Sequence, residues 1–237
     1  SAAYADARFV RALWTQASLA VQLGVRVDAL HSGTWWTSGT RDAVVQPRLN
    51  VELAPRPWLR LRAGLGITAK QPGSADIYPA LQYFDVVNVN WFPPNPAERL
   101  AVLTTSIVDP TNAQLGYAVA RKSEIGIEVD LGHTGAALSV VGFRDMTDGG
   151  VGFEFRPSYL QRGRFTLSDT AIGNGRPPTY SPTPTSTDTV LILVDVPTNL
   201  NTITHAGLEW TLSLPEIPGM RTRVEVTGAW TISRLTN

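Results

Sequence analysis

The chain has 237 residues, with 20 Lys and Arg against 20 Asp and Glu, three histidines and no cysteine. A formal charge of zero offers no basic excess for nucleic acid or an anionic surface. Without cysteine there are no disulfides, thiol nucleophiles or Cys-ligated zinc sites.

Seven tryptophans, 20 glycines and 17 prolines suit strands and turns better than helices. The mean hydropathy of -0.03 is compatible with a membrane barrel, because inward polar residues cancel outward apolar ones in an average. The longest aliphatic run, residues 190–194, is too short for a spanning helix. The sequence begins at Ser1 with no basic-then-apolar leader, and reads as a processed chain or a piece of a longer one.

In chain order, residues 3–10 predict a short strand and residues 11–14 its turn. From Ala17, Leu19, Val21, Leu23, Val25 and Val27 oppose Gln16, Ser18, Gln22, Arg26 and Asp28. This period of two belongs to a strand, not a helix. Residues 31–41 read as a loop carrying Trp35 and Trp36. Residues 44–68 predict a hairpin, with Val45, Leu49, Val51 and Leu53 on one face of its first strand. Leu59, Leu61, Ala63, Leu65 and Ile67 repeat the pattern in its second strand, after a turn at residues 54–57.

Residues 70–122 are punctuated by six prolines and carry aromatic clusters at Tyr78, Tyr83-Phe84 and Trp91-Phe92. They read as a long loop, with a local strand at 84–92 and a helical turn or two at 98–104. Alternation returns at Ile125, Ile127, Val129 and Leu131, followed by a reversal at 132–135 and a strand at 136–145. Residues 146–205 read as a second long loop, with a Ser/Thr/Pro-rich centre at 177–187 and a short strand at 190–196. A last hairpin opposes Ala206, Leu208, Trp210 and Leu212 to Gly207, Glu209, Thr211 and Ser213, then closes with the alternation of 222–232.

Short turns thus alternate with long excursions, which puts long loops at one end of an antiparallel all-β sheet. A transmembrane β-barrel or a partial barrel wall has this polarity, and so does a soluble sandwich with binding loops. The whole of residues 1–237 reads as one such region.

Several stretches resemble the barrel of a TonB-dependent outer-membrane receptor. They are Arg60-Leu61-Arg62-Ala63-Gly64-Leu65-Gly66 with Lys70-Gln71-Pro72, Ile77-Tyr78-Pro79, Asp109-Pro110-Thr111-Asn112, Arg121 to Gly126, and Gly207-Leu208-Glu209-Trp210. Gly24-Val25-Arg26-Val27-Asp28 also resembles a Gly-Leu-Arg-Tyr-Asp strand end, with valine in place of tyrosine. The resemblance implies part of a larger barrel in the outer membrane of a Gram-negative-type bacterium. It further implies contact with membrane lipid, completion by remaining barrel and plug segments or another chain, and a TonB-type energy-transducing partner if a full receptor is present. The function it implies is uptake of a scarce nutrient such as a metal chelate or oligosaccharide. No plug domain and no terminal strand ending in an aromatic residue match. Two other readings stand beside it: a structural or interaction subunit built on such a sheet, and a soluble carbohydrate-binding β domain.

The candidate ligand surface is the aromatic set Trp35, Trp36, Tyr78, Tyr83, Phe84, Trp91 and Phe92, with Gln82, Asn88 and Asn90 as hydrogen-bonding neighbours. No enzymatic activity, metal, cofactor or nucleic-acid partner is expected. His31, His133 and His205 lack partners at ligand spacing. Glu124, Glu128 and Asp130 read as members of a polar face that pair with Arg48, Arg60, Arg62 and Arg223, not as a catalytic pair.

Overall fold

The computed structural model describes residues 2–29, 43–217 and 219–236. The protein is an antiparallel all-β structure, and no helix among the described residues is long and apolar enough to cross a membrane. Its main sheet has eight strands. These are β1 (Ala2–Trp14), β2 (Ala17–Ala29), β3 (Ala43–Arg56), β4 (Leu59–Lys70), β7 (Ala118–Asp130), β8 (Ala137–Arg164), β11 (Ser186–Ser213) and β12 (Glu225–Thr236), in that order across the sheet. Between β4 and β7 lie the short helix α1 (Ser74–Ile77), the strands β5 (Gln82–Trp91) and β6 (Leu100–Val108), and a 3-10 turn at Pro96–Glu98. Two-residue strands β9 (Leu167–Ser168) and β10 (Thr179–Tyr180) pair with each other.

The period-two pattern sets the register. Arg11, Leu19, Leu53, Leu61, Ile127 and Val140 form one row across six strands. Phe9, Val21, Val51, Ala63, Ile125 and Gly142 form the next. Directly paired residues point to the same side of a sheet, so these rows build one face that is almost wholly uncharged. The alternate rows carry Asp6, Arg48, Lys122 and Asp145, or Arg60 and Glu128. A slip of one residue would exchange the two faces, so the patterning of every strand opposes it.

Neither face is a core. Ile125 is 69% exposed, Leu65 59% and Trp230 64%, and within the first unit the buried apolar residues are small ones such as Ala17. The sandwich expectation needs a second layer over this face, and these exposures show none. The closed-barrel expectation is also not met. Among the described residues β1 pairs only with β2 and β12 only with β11, so the sheet is open at both sides.

Strands replace several predicted loops. β1 continues through residues 11–14, paired as far as Trp14 with Ala17. The turn after β3 falls at 57–58, because Arg56 still pairs with Leu59. Within 70–122, β5 and β6 form a hairpin where a helical turn was expected at 98–104. Within 146–205, β8 and β11 run on for 28 residues each, far beyond the usual five or six. Weakly periodic sequence such as 146–164 keeps strand geometry because its backbone partners are supplied by the neighbouring strand.

The chain divides into two compact units. The first contains Ser1–Pro72, Gln114–Gly152 and Asn199–Asn237, and the second contains Gly73–Ala113 and Phe153–Thr198.

Glycines in the first unit are not equivalent. A Cβ on Gly207 would overlap the backbone oxygen of Trp230 and come within 3.0 Å of the Phe143 ring, whereas one on Gly66 meets nothing closer than 3.6 Å. Gly207→Ala is therefore expected to cost about 1–3 kcal/mol in denaturant unfolding, by forcing backbone apart. Gly66→Ala should be neutral or slightly stabilising, through the lower strand entropy cost of alanine. Equal midpoints for the two variants would contradict this packing.

Candidate functional site

The polar face of the first unit holds the more developed arrangement of charges. Glu128 accepts from Arg60 at 2.7 Å and lies 3.5 Å from Arg62. Arg48 faces Asp6 at 3.8 Å, and Lys122 faces Asp145 at 3.3 Å. On the opposite, largely uncharged face, Arg121 pairs with Asp148. Asp130 instead accepts the amide of Gly132 and braces the turn. Arg223 takes no ion pair among the described residues.

A second chain of polar contacts crosses three strands. Both oxygens of Asp28 accept from the Arg26 guanidinium at 2.9 and 3.0 Å, and one also accepts from the Gln46 amide. The Gln46 oxygen in turn accepts the backbone N–H of Ala69 at 3.0 Å. Gln46 is buried, so its amide must find partners on both sides. The Arg26 hydrogen bond, and then that of Gln46, hold the Asp28 carboxyl below the ordinary aspartate value.

Between these groups lies a depression of about 370 Å³, lined by Arg48, Asn50, Lys122, Glu124, Asp145 and Glu209 among others. Gly64 and Gly66 floor it, and the Glu124 side chain lies across Gly64, where a Cβ would come within 2.8 Å of it. Small residues thus make room for long charged ones on neighbouring strands. Of its three cations, Arg48 is opposed by Asp6 and Lys122 by Asp145, while Arg144 takes no ion pair among the described residues. Among the described residues, however, Glu124 and Glu209 take neither an ion pair nor a hydrogen bond. One Asp145 oxygen is also buried without a partner. The arrangement suits a cationic or hydrogen-bond-donating group better than an anion. It includes no nucleophile–base pair.

The second unit does not gather the predicted aromatic set. Trp35 and Trp36 lie outside the described residues, as does His31. Tyr78 is exposed at the end of α1. On β5, a bulge between Val87 and Val89 shifts the alternation. Tyr83 and Asn90 consequently stand on the exposed face with Leu103, while Phe84 and Trp91 stand on the sheltered one. Asn88 is buried in the bulge, where it donates to Thr104 Oγ1. Gln82 uses both ends of its amide on the backbone of Asp195. Phe92 lies beneath the Arg99 guanidinium, 3.8 Å from its ring centre. Three of the predicted polar and aromatic groups thus have partners within the fold. His205 Nδ1 meets Ser233 Oγ at 2.7 Å, and His133 belongs to the turn at Gly132–Thr134.

Gln46 and Glu209 were not singled out from sequence. Gln46 had a legible signal, a polar residue beside Pro47 on an otherwise regular strand. Glu209 had none, since its approach to Glu124 depends on the pairing of β7, β8 and β11.

The class of protein that these observations define is an open antiparallel β-sheet structure with one charged and one uncharged face. No family model matches the chain, and no curated protein matches it. The expected role as a receptor or transporter segment for nutrient uptake is overturned by the sheet itself. A solute path needs a wall closed around it, and among the described residues the outer strands β1 and β12 are each bonded on one side only.

Two outcomes are expected. Glu124→Gln and Glu209→Gln should each leave unfolding free energy within about 0.5 kcal/mol, because no native partner is lost. Both should weaken binding of an oligo-lysine peptide measured by calorimetry. Asp28→Asn should lower the denaturant midpoint at neutral pH. The folded pKa of Asp28 is depressed, so its contribution is present above the ordinary aspartate value and lost as pH falls through the folded value. The penalty of Asp28→Asn should therefore vanish in strong acid, and a penalty independent of pH would exclude the charge as its cause.

Proposed function

We propose that this chain is a structural and interaction subunit: a stretch of antiparallel barrel wall completed by strands of another polypeptide. Its uncharged face turns towards membrane hydrocarbon. The observation that carries this reading is a single-layer sheet whose uncharged face is exposed while both outer strands keep an unpaired side.

Exposed apolar area costs roughly 25 cal/mol per Å² in water, and a face of eight strands is far larger than a monomer's ordinary patches. The run from Leu19 to Val27 extends about 26 Å at roughly 3.3 Å per residue, close to the band of about 25 Å in barrel walls. Two cations interrupt this face: Arg121 pairs across from Ile67, and Arg144 from Ser123, whose row continues through Leu65 and Leu49 to Leu23 at the middle of the run. The edges support the interaction role. Neither β1 nor β12 contains proline, and an unpaired row of N–H and C=O groups is a template for strand addition. In this reading the chain resides in a bacterial outer membrane, the compartment that its strand resemblance implies. The depression at Glu124 and Glu209 receives a basic stretch of the partner polypeptide.

Mixing the purified chain with phospholipid vesicles tests the reading. The chain should float with the vesicles, and its sized mass in detergent should exceed that of one chain. Ile125→Lys should weaken insertion by about 2–4 kcal/mol, whereas Asn50→Lys on the opposite face should not. A monodisperse monomer in detergent-free buffer that ignores vesicles would defeat the wall reading and leave a water-soluble β module.

A further inference from the structure

The most buried carboxylate among the described residues lies in the second unit. Glu98 closes the turn Pro96–Glu98 and is only 2% exposed. No cation among the described residues balances it. Its oxygens accept the backbone N–H of Gly173 at 3.1 and 3.0 Å, the N–H of Gly175 at 3.1 Å and the side-chain amide of Asn95 at 3.0 Å. Gly173 and Gly175 have φ of +92° and +72°, values that glycine adopts without the steric cost of a Cβ. Closely spaced N–H groups in such a conformation converge on one point and make a concavity for an anion. Here the anion comes from the protein's own turn.

The residues between the glycines and their flanks have little else to hold them. Every position from 168 to 177 is exposed, including Ile172 at 70%. The base of the loop is closed by pairing of Leu167 with Tyr180 and Ser168 with Thr179, and by the edge-on contact of Phe165 with Tyr180. Within the loop, Asn174 accepts from the N–H of Arg176 and donates to the Asp169 carbonyl, and Arg176 lies 3.4 Å from the Asp169 carboxylate. These contacts brace the loop against itself. Glu98 is the group through which it is fastened to the turn, and the loop is in return what keeps water from Glu98.

We propose that Glu98 is a latch: its carboxylate, seated in the Gly173–Gly175 amides, holds loop 169–176 against the turn, and neutralising it frees the loop as a unit. A protonated carboxyl or an amide presents a donor where the glycines also present donors, so at least one of the bonds is lost and a buried polar group is left unpaired. The hinge is already defined by the pairing of β9 with β10, which does not involve Glu98.

The bonds from Gly173 and Gly175 hold the Glu98 carboxyl below the ordinary glutamate value. The latch is therefore closed through neutral pH and into mild acid, and opens as pH falls through that lowered value. The other charged groups around it are Arg99, directed to the carbonyls of Pro93 and Pro94, and the pair Asp169 and Arg176. A change of pH acts on more than one group, so acid alone does not assign the effect. Glu98→Gln at constant neutral pH does assign it.

Amide hydrogen exchange on the full chain is the test. In Glu98→Gln the amides of Gly173 and Gly175 should exchange at least about tenfold faster than in the wild type, while those of β5 and β6 keep their rates. Unchanged protection at the two glycines would overturn the latch. Loss of protection throughout β5 and β6 would also overturn it, because the carboxylate would then be a requirement for folding. A measurement on the wild type needs no variant. The amide proton shifts of Gly173 and Gly175 should titrate together, with a midpoint below the ordinary glutamate value. Shifts that titrate apart, or at the ordinary value, would refute the assignment.

Discussion

The structure depends on one constraint: a single-layer sheet has no interior, so its strand ladders must carry it. In the first unit the side chains of β2, β3, β4 and β7 are packed beside one another along the sheet and not between layers. Hydrogen bonding of the backbone then supplies cooperativity, and cross-strand rows such as Val21, Val51, Ala63 and Ile125 supply lateral packing. Gly207 and Gly228 follow from the same constraint. Gly228 lies against the Trp210 indole of the adjoining strand, so the large side chain is accommodated by removing its neighbour's.

The two faces solve different problems on this ladder. Exposed ion pairs such as Arg60 with Glu128 contribute little individually, about 0–1 kcal/mol, because water screens them. Their place on one face is kept by register, since a one-residue slip would turn them to the other side of the sheet. Gln46 is a different case, because it is buried and its amide links Asp28 to the Ala69 backbone. Removing either partner would leave a desolvated polar group. The free carboxylates Glu124 and Glu209 contribute neither register nor burial, and for that reason stand out as groups available to a partner.

In the second unit polar side chains take over work that an apolar core does elsewhere. The buried apolar groups there include Val86, Val89, Val194 and Val196. Around them Gln82 pairs with the Asp195 backbone as an added strand residue would, Asn112 donates to the Pro197 carbonyl, and Glu98 gathers the loop amides. Irregular backbone needs partners that a strand ladder does not provide, and long polar side chains reach them. The same demand draws Gln82 and Asn88 into contacts within the fold.

Local alternation in the sequence determined the existence of β2, β3, β4, β7 and β12 and the division of their residues into two faces. A period of two is a property of neighbouring residues and survives whatever the strand pairs with. The sequence also determined that Glu128 would share a face with Arg60 and Arg62, because parity along each strand decides it. The tertiary structure decided the rest. Residues 146–164 and 186–205 alternate poorly, and they are strands because each provides the other with backbone partners over a length that no local window can sense. The bulge at Asn88 divides the aromatic set by reversing the faces of β5, an outcome of its pairing with β6. Whether the sheet closes was not readable from any strand, since closure is a relation between the first and the last. Glu98 was likewise invisible: its partners are 75 and 77 residues away, and only folding brings their amides to one carboxylate.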